Sequence, residues 1–308
     1  MADTSDVVLA YVADVNPTAA IPNATAYQRL NFVSHDFVPQ ADSVTSKVIR
    51  PDASVQDARR IAGGWAGTLA MELARDPELE DLMAKALRGA WVSNVLKAGS
   101  AKSVILLEEK VMEGATAYYQ RYRGGVLGGF MLEVSPDGLV DIRFPVTGRI
   151  MEDDAAITTG ATYTASGTAP VLAGVDFTAL TLSGWTTTMD VETISIDATN
   201  NLRADRKLGS QDPRGVPYGK REVTIDVSAY FVDNEAFQKF KADGLTAASF
   251  GFTVPGATAG FTFAFARCRV VSYGKPIPGE NQTIKVALQL KATYDTTDGT
   301  DFKITRIA

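Results

Sequence analysis

Two stretches of the chain alternate strictly between apolar and polar residues. In "REVTIDVSAYF" the apolar face carries Val223, Ile225, Val227, Ala229 and Phe231, against Thr224, Asp226, Ser228 and Tyr230. In "TIKVALQLKATY" it carries Ile284, Val286, Leu288, Leu290, Ala292 and Tyr294, against Thr283, Lys285, Gln289, Lys291 and Thr293. A period of two over such lengths predicts half-buried strands with one face on a core. "KSVILLEEKV" from Lys102 and "FTFAFARCRVVSY" from Phe261 predict two more. "YYQRYRGGVLGGFMLEVSPDGLVDIRFPVTG", Tyr118 to Gly148, predicts two strands joined by Ser135-Pro136-Asp137-Gly138, which suits a type I turn. One face of that ribbon holds Val126, Phe130, Leu132, Val134, Val140, Ile142 and Phe144. The other holds Met131, Glu133, Asp141 and Arg143.

Helical periodicity is confined to two short segments. "DPELEDLMAKALRG" offers Asp76 as N-cap, Pro77 as first helical residue and Gly89 just past the end. Its buried stripe is Leu79, Leu82, Met83, Ala86 and Leu87. "DNEAFQKFKADG" predicts a helix from Asp233 to near Gly244 that buries Ala236, Phe237 and Phe240. "SVQDARRIAGGWAGTLAMELA" fits either a helix or two strands, and Gly63-Gly64 at its centre favours strands. Residues 151–188 shift to Thr, Ala, Gly and Ser, which predicts a long insertion loop or hairpin. "GSQDPRGVPYGKR", from Gly209, is a second irregular segment.

Composition narrows the class. The chain has 308 residues, 45% of them apolar, enough for a substantial core and unlike a disordered polymer. A net charge of −6, with no run of Lys and Arg longer than a pair, disfavours adhesive binding to nucleic acid. One cysteine and one histidine exclude an internal disulfide and most transition-metal sites. The N-terminal residues carry acids where a secretory signal needs basic ones, and no apolar run approaches a membrane span. The expectation is synthesis and folding in the cytosol, without membrane insertion.

Candidate chemistry is sparse. His35 in "VSHDF" has no recognisable nucleophile motif beside it and is expected to be structural. Cys268 is expected to be a buried, inert thiol on the small-residue face it shares with Ala264 and Ala266. Glu108-Glu109 and Glu152-Asp153-Asp154 are expected to be solvated. "DTTDGTD", Asp295 to Asp301, has calcium-like oxygen spacing, but Asp298-Gly299 also marks a hairpin turn. "RYRGG" from Arg121 is a single copy of an RGG-like fragment and a simpler strand start. No phosphate-binding glycine motif follows a strand and opens a helix. No cofactor and no enzymatic activity are expected.

The serial order of three blocks resembles the tail tube (major tail) proteins of long-tailed, non-contractile bacteriophages. These blocks are Arg59 to Trp91, Tyr122 to Gly148, and "REVTIDVSAYFVDNEAFQKF" through "TIKVALQLKATYDTTDGTDFKITRIA". The resemblance implies one tail tube domain over 1–308, with residues 1–50 as N-terminal arm and first strands and 151–188 as the insertion. It implies a mainly β fold: a two-sheet β-sandwich with one or two short flanking helices. The inner sheets of neighbours would join into a hexameric β-barrel ring, an architecture shared with the type VI secretion tube protein. Implied partners are further copies of the chain, a tape-measure protein, tail terminator and distal tail or baseplate proteins, and transiently passing double-stranded DNA. The implied location is the virion tail, after assembly in the host bacterial cytoplasm. In that frame Glu133, Asp141, Arg143 and Asp226 are candidates for the lumen lining, and Lys285 and Lys291 are expected off it. Two other functions stay open: a bacterial secretion or contractile-injection tube subunit, and a soluble glycan- or receptor-binding sandwich. The latter would display aromatics, with Trp65, Trp91 and Trp185 the ones to watch.

Overall fold

A computed structural model describes residues 7–52, 54–153, 156–254 and 259–307. Asp154 and the first six residues of the N-terminal arm lie outside the described residues. Strand accounts for 48% and helix for 7%, so the protein is mainly β.

The long sheet is antiparallel throughout. It runs Trp65–Glu72, Asp141–Gly148, Gly129–Val134, Val191–Thr199, Glu222–Tyr230, Lys285–Ala292 and then the C-terminal half of Gly260–Gly274. The second sheet runs Val95–Lys97, Lys303–Ile307, the N-terminal half of Gly260–Gly274, Leu245–Thr253 and Thr181–Leu182. Strand Gly260–Gly274 therefore belongs to both. The two sheets close on an aromatic core. Phe302 stacks on Phe265 at 4.5 Å and meets Phe130 of the long sheet at 5.9 Å between ring centroids. This is the expected β-sandwich.

The shared strand changes phase as it crosses. Phe261, Phe263 and Phe265 are buried, then Cys268 and Val270. The pairing with Leu245–Thr253 slips by one residue between Cys268 and Phe265. An extra residue in a period-two strand turns every later side chain to the other face. Cys268 therefore shares its face with Val270 and not, as the sequence suggested, with Ala264 and Ala266.

A third, curled sheet flanks the sandwich. Its order is Ile150–Glu152, Thr116–Leu127, Ile105–Glu113, Val7–Ala13, Ala26–Arg29 and Thr162–Thr164. Its inner side holds charges that the sequence placed in solvent. Glu108 is 1% exposed; its carboxylate accepts from Arg121 at 2.7 Å and from the Tyr163 hydroxyl. Arg123 is likewise buried, between Asp14 and Glu152. Strand parity turned these residues inward, and each ion finds its partner across the curl.

Helix Pro77–Ala86 fills the space beside the long sheet, with the expected stripe buried. Its end differs from expectation. Arg88, at φ +57°, takes the left-handed position, while Gly89 is required by crowding: a Cβ there would lie 2.1 Å from the Lys97 carbonyl oxygen. Asp76 does not cap the helix through its side chain. Its carboxylate accepts instead from the Ala169 N–H at 2.9 Å. Helix Glu235–Ala242 departs further. Only Ala236 is buried; Phe237 and Phe240 are 46% and 36% exposed and lean on Tyr273.

The ambiguous segment at Gly63-Gly64 is extended, although its two strands do not pair with each other. Ala58–Arg60 pairs with Ser43–Thr45, and Trp65–Glu72 with Asp141–Gly148. Residues 156–188 run across the body. Thr162–Thr164 joins the curled sheet, the Gly167 N–H donates to Glu78, Leu172 is buried beside Leu73 and Val140, and Thr181–Leu182 edges the second sheet.

Candidate functional site: an open charged sheet face

The long sheet has one face in the core and one face open. The register lays the outward side chains in rows across it. One row is Glu72, Asp141, Glu133, Ser195, Asp226, Gln289 and Ser272. The next is Ala70, Arg143, Met131, Asp197, Thr224, Lys291 and Arg269. All four residues singled out from the sequence, Glu133, Asp141, Arg143 and Asp226, lie on this face. Glu133, Arg143 and Asp226 are exposed and Asp141 is half-buried. A shallow trough of about 400 Å³ crosses its middle, lined among others by Glu133, Ser195, Asp226, Ser228 and Gln289.

Lys285 and Lys291, expected off the lumen, lie on the face that carries its candidate lining residues. They stand on the same face as Asp226, because Thr224 pairs with Lys291 and Asp226 with Gln289. Strand alternation alone does not say which faces of different strands coincide; only the register does. Both lysines are neutralised locally, Lys285 by Glu192 at 2.6 Å and Lys291 by Glu222 at 3.1 Å.

The remaining charges lean acidic. Arg143 lies 3.5 Å from Glu133 and 3.7 Å from Asp141, so one cation serves two carboxylates. Asp226 accepts from the Gln289 amide at 2.9 Å and pairs with no cation among the described residues. Asp197 lies nearby; partial burial, then the proximity of Asp226, raise its carboxyl above the usual range. Seven acids (Glu72, Glu133, Asp141, Glu192, Asp197, Glu222, Asp226) face four bases (Arg143, Arg269, Lys285, Lys291), a net of −3. The sequence reading passed over Asp197, Ser195 and Thr193. Their signal was present in the alternation of "TISIDA", with Ile194, Ile196 and Ala198 buried opposite them.

The other candidate groups are accounted for by packing. His35 stacks on Phe37 at 4.7 Å and lies 3.6 Å from the Glu109 carboxylate. Burial pushes the Cys268 thiol up to about 12. In "DTTDGTD" the Asp295 carboxylate accepts from the turn's own N–H groups, Asp298 pairs with Lys303, and Asp301 pairs with Arg221. Among the described residues no group of three or more His, Cys, Asp or Glu is arranged to hold a metal ion. No helix there is long and apolar enough to cross a membrane. Trp65 is buried, and Trp91 and Trp185 are half-buried against the core.

A second surface is an arm. Strands Ser43–Thr45 and Ala58–Arg60 form a two-stranded hairpin separate from the other sheets. Every described residue from 41 to 61 except Ser46 is exposed, including Val44, Val48, Ile49, Val55 and Ile61. Its root is tied by the Gln40 N–H to the Gly64 carbonyl at 2.8 Å and by Arg206 to Asp42 at 2.6 Å. A lone hairpin is marginal in water, so apolar side chains along one call for a surface to cover them.

An unroofed polar sheet face and an exposed apolar arm are the surfaces that packing within the described residues leaves uncovered. A family profile described as phage tail tube protein matches residues 4–295. The chain belongs to that family, and its role is that of a structural component of the phage tail. No curated protein matches the chain.

Proposed function

We propose that copies of this chain join their long sheets into six-membered rings, and that the rings stack into a hollow tail tube. The open charged face lines the hole, which encloses a tape-measure protein during assembly and later conducts double-stranded DNA. One observation carries this reading: a seven-stranded sheet packed on one side and unroofed, polar and net acidic on the other.

The sheet's rim supports sharing. Among the described residues, Val271–Gly274 has no strand on its outer side, since Leu245–Thr253 pairs no further than Arg269. Open edges are sites of strand addition. If each of six copies lends about four strands, spacing of ~4.8 Å and a tilt of ~40° close a wall roughly 50 Å across. Six copies of this net-acidic face give a net-acidic ring lining. Such a wall repels phosphates instead of holding them by counterion release.

Glu133, Asp141, Arg143 and Asp226 are lining residues in this reading, joined by Asp197, Lys285 and Lys291. Negative-stain electron microscopy of the purified chain tests the assembly. Six-fold rings or hollow striated tubes are expected; a monomer under all conditions, with tail initiator present, overturns it. The double variant Glu133→Lys/Asp141→Lys tests the lining. Tubes should persist while genome delivery slows, and unchanged infectivity would remove these residues from the lumen without touching the tube.

A further inference from the structure

The strands of the long sheet run between two ends of opposite character. At one end lie the arm root, beside Trp65 and Gly148, and the irregular segment after Thr199. The arm and this segment touch: the Gly63 N–H donates to the Gln211 carbonyl at 2.8 Å, and Arg206 pairs with Asp42. At the other end lie the Ser135–Gly138 turn, the short 3-10 turn Gly174–Asp176, and helix Glu235–Ala242, which follows Tyr230.

Charge divides between these ends. Residues 40–62 and 201–220 carry nine Lys or Arg and five Asp or Glu, a net of +4. Residues 135–139, 173–176, 190–192, 230–244 and 273–285 carry four Lys and eight Asp or Glu, a net of −4. The first is a basic end on a chain that is −6 overall. Each end also exposes apolar side chains. The basic end shows Val44, Val48, Ile49, Val55, Ile61 and Leu208. The acidic end shows Tyr230, Val232, Phe237, Phe240, Val175 and Ile277.

We infer that the basic end of one copy seats on the acidic end of a second copy, head to tail along the strand direction. The arm's aliphatic residues then cover the Phe237–Phe240 cluster. The inference rests on the tube reading and names the surfaces by which one ring meets the next. The occupant is a second copy for two reasons. The two ends are opposite in charge, and they stand at opposite ends of the same strands. A contact between different patches at opposite ends repeats without closing and builds a filament. Charge complementarity fixes its polarity, because like ends repel. The aromatic cluster supplies the desolvated centre that such an interface needs.

Charge reversal tests the contact with exposed residues that form no ion pair in the structure. Lys47→Glu/Arg59→Glu/Lys207→Glu takes the basic end from +4 to −2. Asp137→Lys/Asp190→Lys/Glu280→Lys takes the acidic end from −4 to +2. Each triple variant should melt like the parent chain and form rings that fail to stack. A chain carrying both triples should stack again. Phe237→Ser/Phe240→Ser should also leave rings and abolish tubes. Electron microscopy at ~0.15 M salt, where the screening length is about 8 Å, reads all four. Tubes of parental length from either triple variant, or no recovery in the combined chain, overturn this contact and leave the tube reading intact. A parent chain that forms neither rings nor tubes overturns both.

Discussion

Gly148→Ala places one methyl group where the structure has no room. A Cβ at this position would lie 2.1 Å from Cε2, 2.2 Å from Nε1 and 2.4 Å from Cζ2 of Trp65. Relief to van der Waals distance needs a shift of more than ~1 Å. The indole cannot give. It is wholly buried, boxed by Phe37 at 5.3 Å and Tyr122 at 5.2 Å, and its N–H donates to the Arg123 carbonyl at 3.0 Å. Overpacking costs about 1–3 kcal/mol. If the ring swings away, the lost buried hydrogen bond adds about 1–3 kcal/mol. The expected total is about 2–6 kcal/mol, or a fall in Tm of roughly 10 °C for a chain of this size. Circular dichroism melts of Gly148→Ala, Trp65→Leu and the double variant measure it. Leu removes the clashing ring, so the double variant should be more stable than the sum of the singles by about 1–3 kcal/mol. Because Trp65 stands at the arm root, Gly148→Ala should also speed proteolysis within residues 41–61. A parental melt for Gly148→Ala, or strict additivity in the cycle, would refute the reasoning.

Other perturbations test other parts of the fold. Arg121→Met leaves Glu108 buried without its cation and should cost about 3–5 kcal/mol, whereas Arg121→Met with Glu108→Gln should recover most of it; chemical denaturation of the pair decides. Glu235 is held at about 2, chiefly by the Thr186 backbone N–H and then by Thr187. A depressed carboxylate stabilises above its ordinary value near 4.5, and that contribution is lost as pH falls through about 2. Exchange of the Thr186 and Thr187 amides should therefore stay protected at pH 4 in the parent chain and open in Glu235→Gln. Cys268, pushed to about 12 by burial, should resist a thiol reagent at pH 8 until the chain unfolds; prompt labelling of folded protein would show the strand phase to be wrong.

Much of the fold was legible because half-buried strands write their burial into alternation. The Gly129–Val134/Asp141–Gly148 ribbon has the faces its sequence predicts, with Phe130, Leu132, Ile142 and Phe144 buried and Met131, Glu133 and Arg143 exposed. The helix from Pro77 was legible for the same reason, at a different period. Helix Glu235–Ala242 was misread because periodicity names the apolar side but not what covers it. Phe237 and Phe240 share a stripe with Ala236, yet among the described residues they only lean on Tyr273 and stay partly exposed. Glu108 was misread in the opposite sense, as a charge is placed in solvent unless a partner such as Arg121 is known. That partner is 13 residues away across a hairpin.

The sequence by itself determined the local grammar: which segments are strands, where the Ser135–Gly138 turn falls, and which side of each strand is apolar. Those properties depend on neighbours within a few residues, and the chain states them directly. Tertiary structure alone decided which polar faces coincide. Register brought Glu133, Asp197, Asp226, Lys285 and Lys291 onto one surface from strands far apart in the chain. It also decided that strand Gly260–Gly274 switches face as it passes between sheets, and that basic and acidic segments gather at opposite strand ends. Pairing between distant strands is set by the packing of the whole core, so no local pattern of residues encodes it.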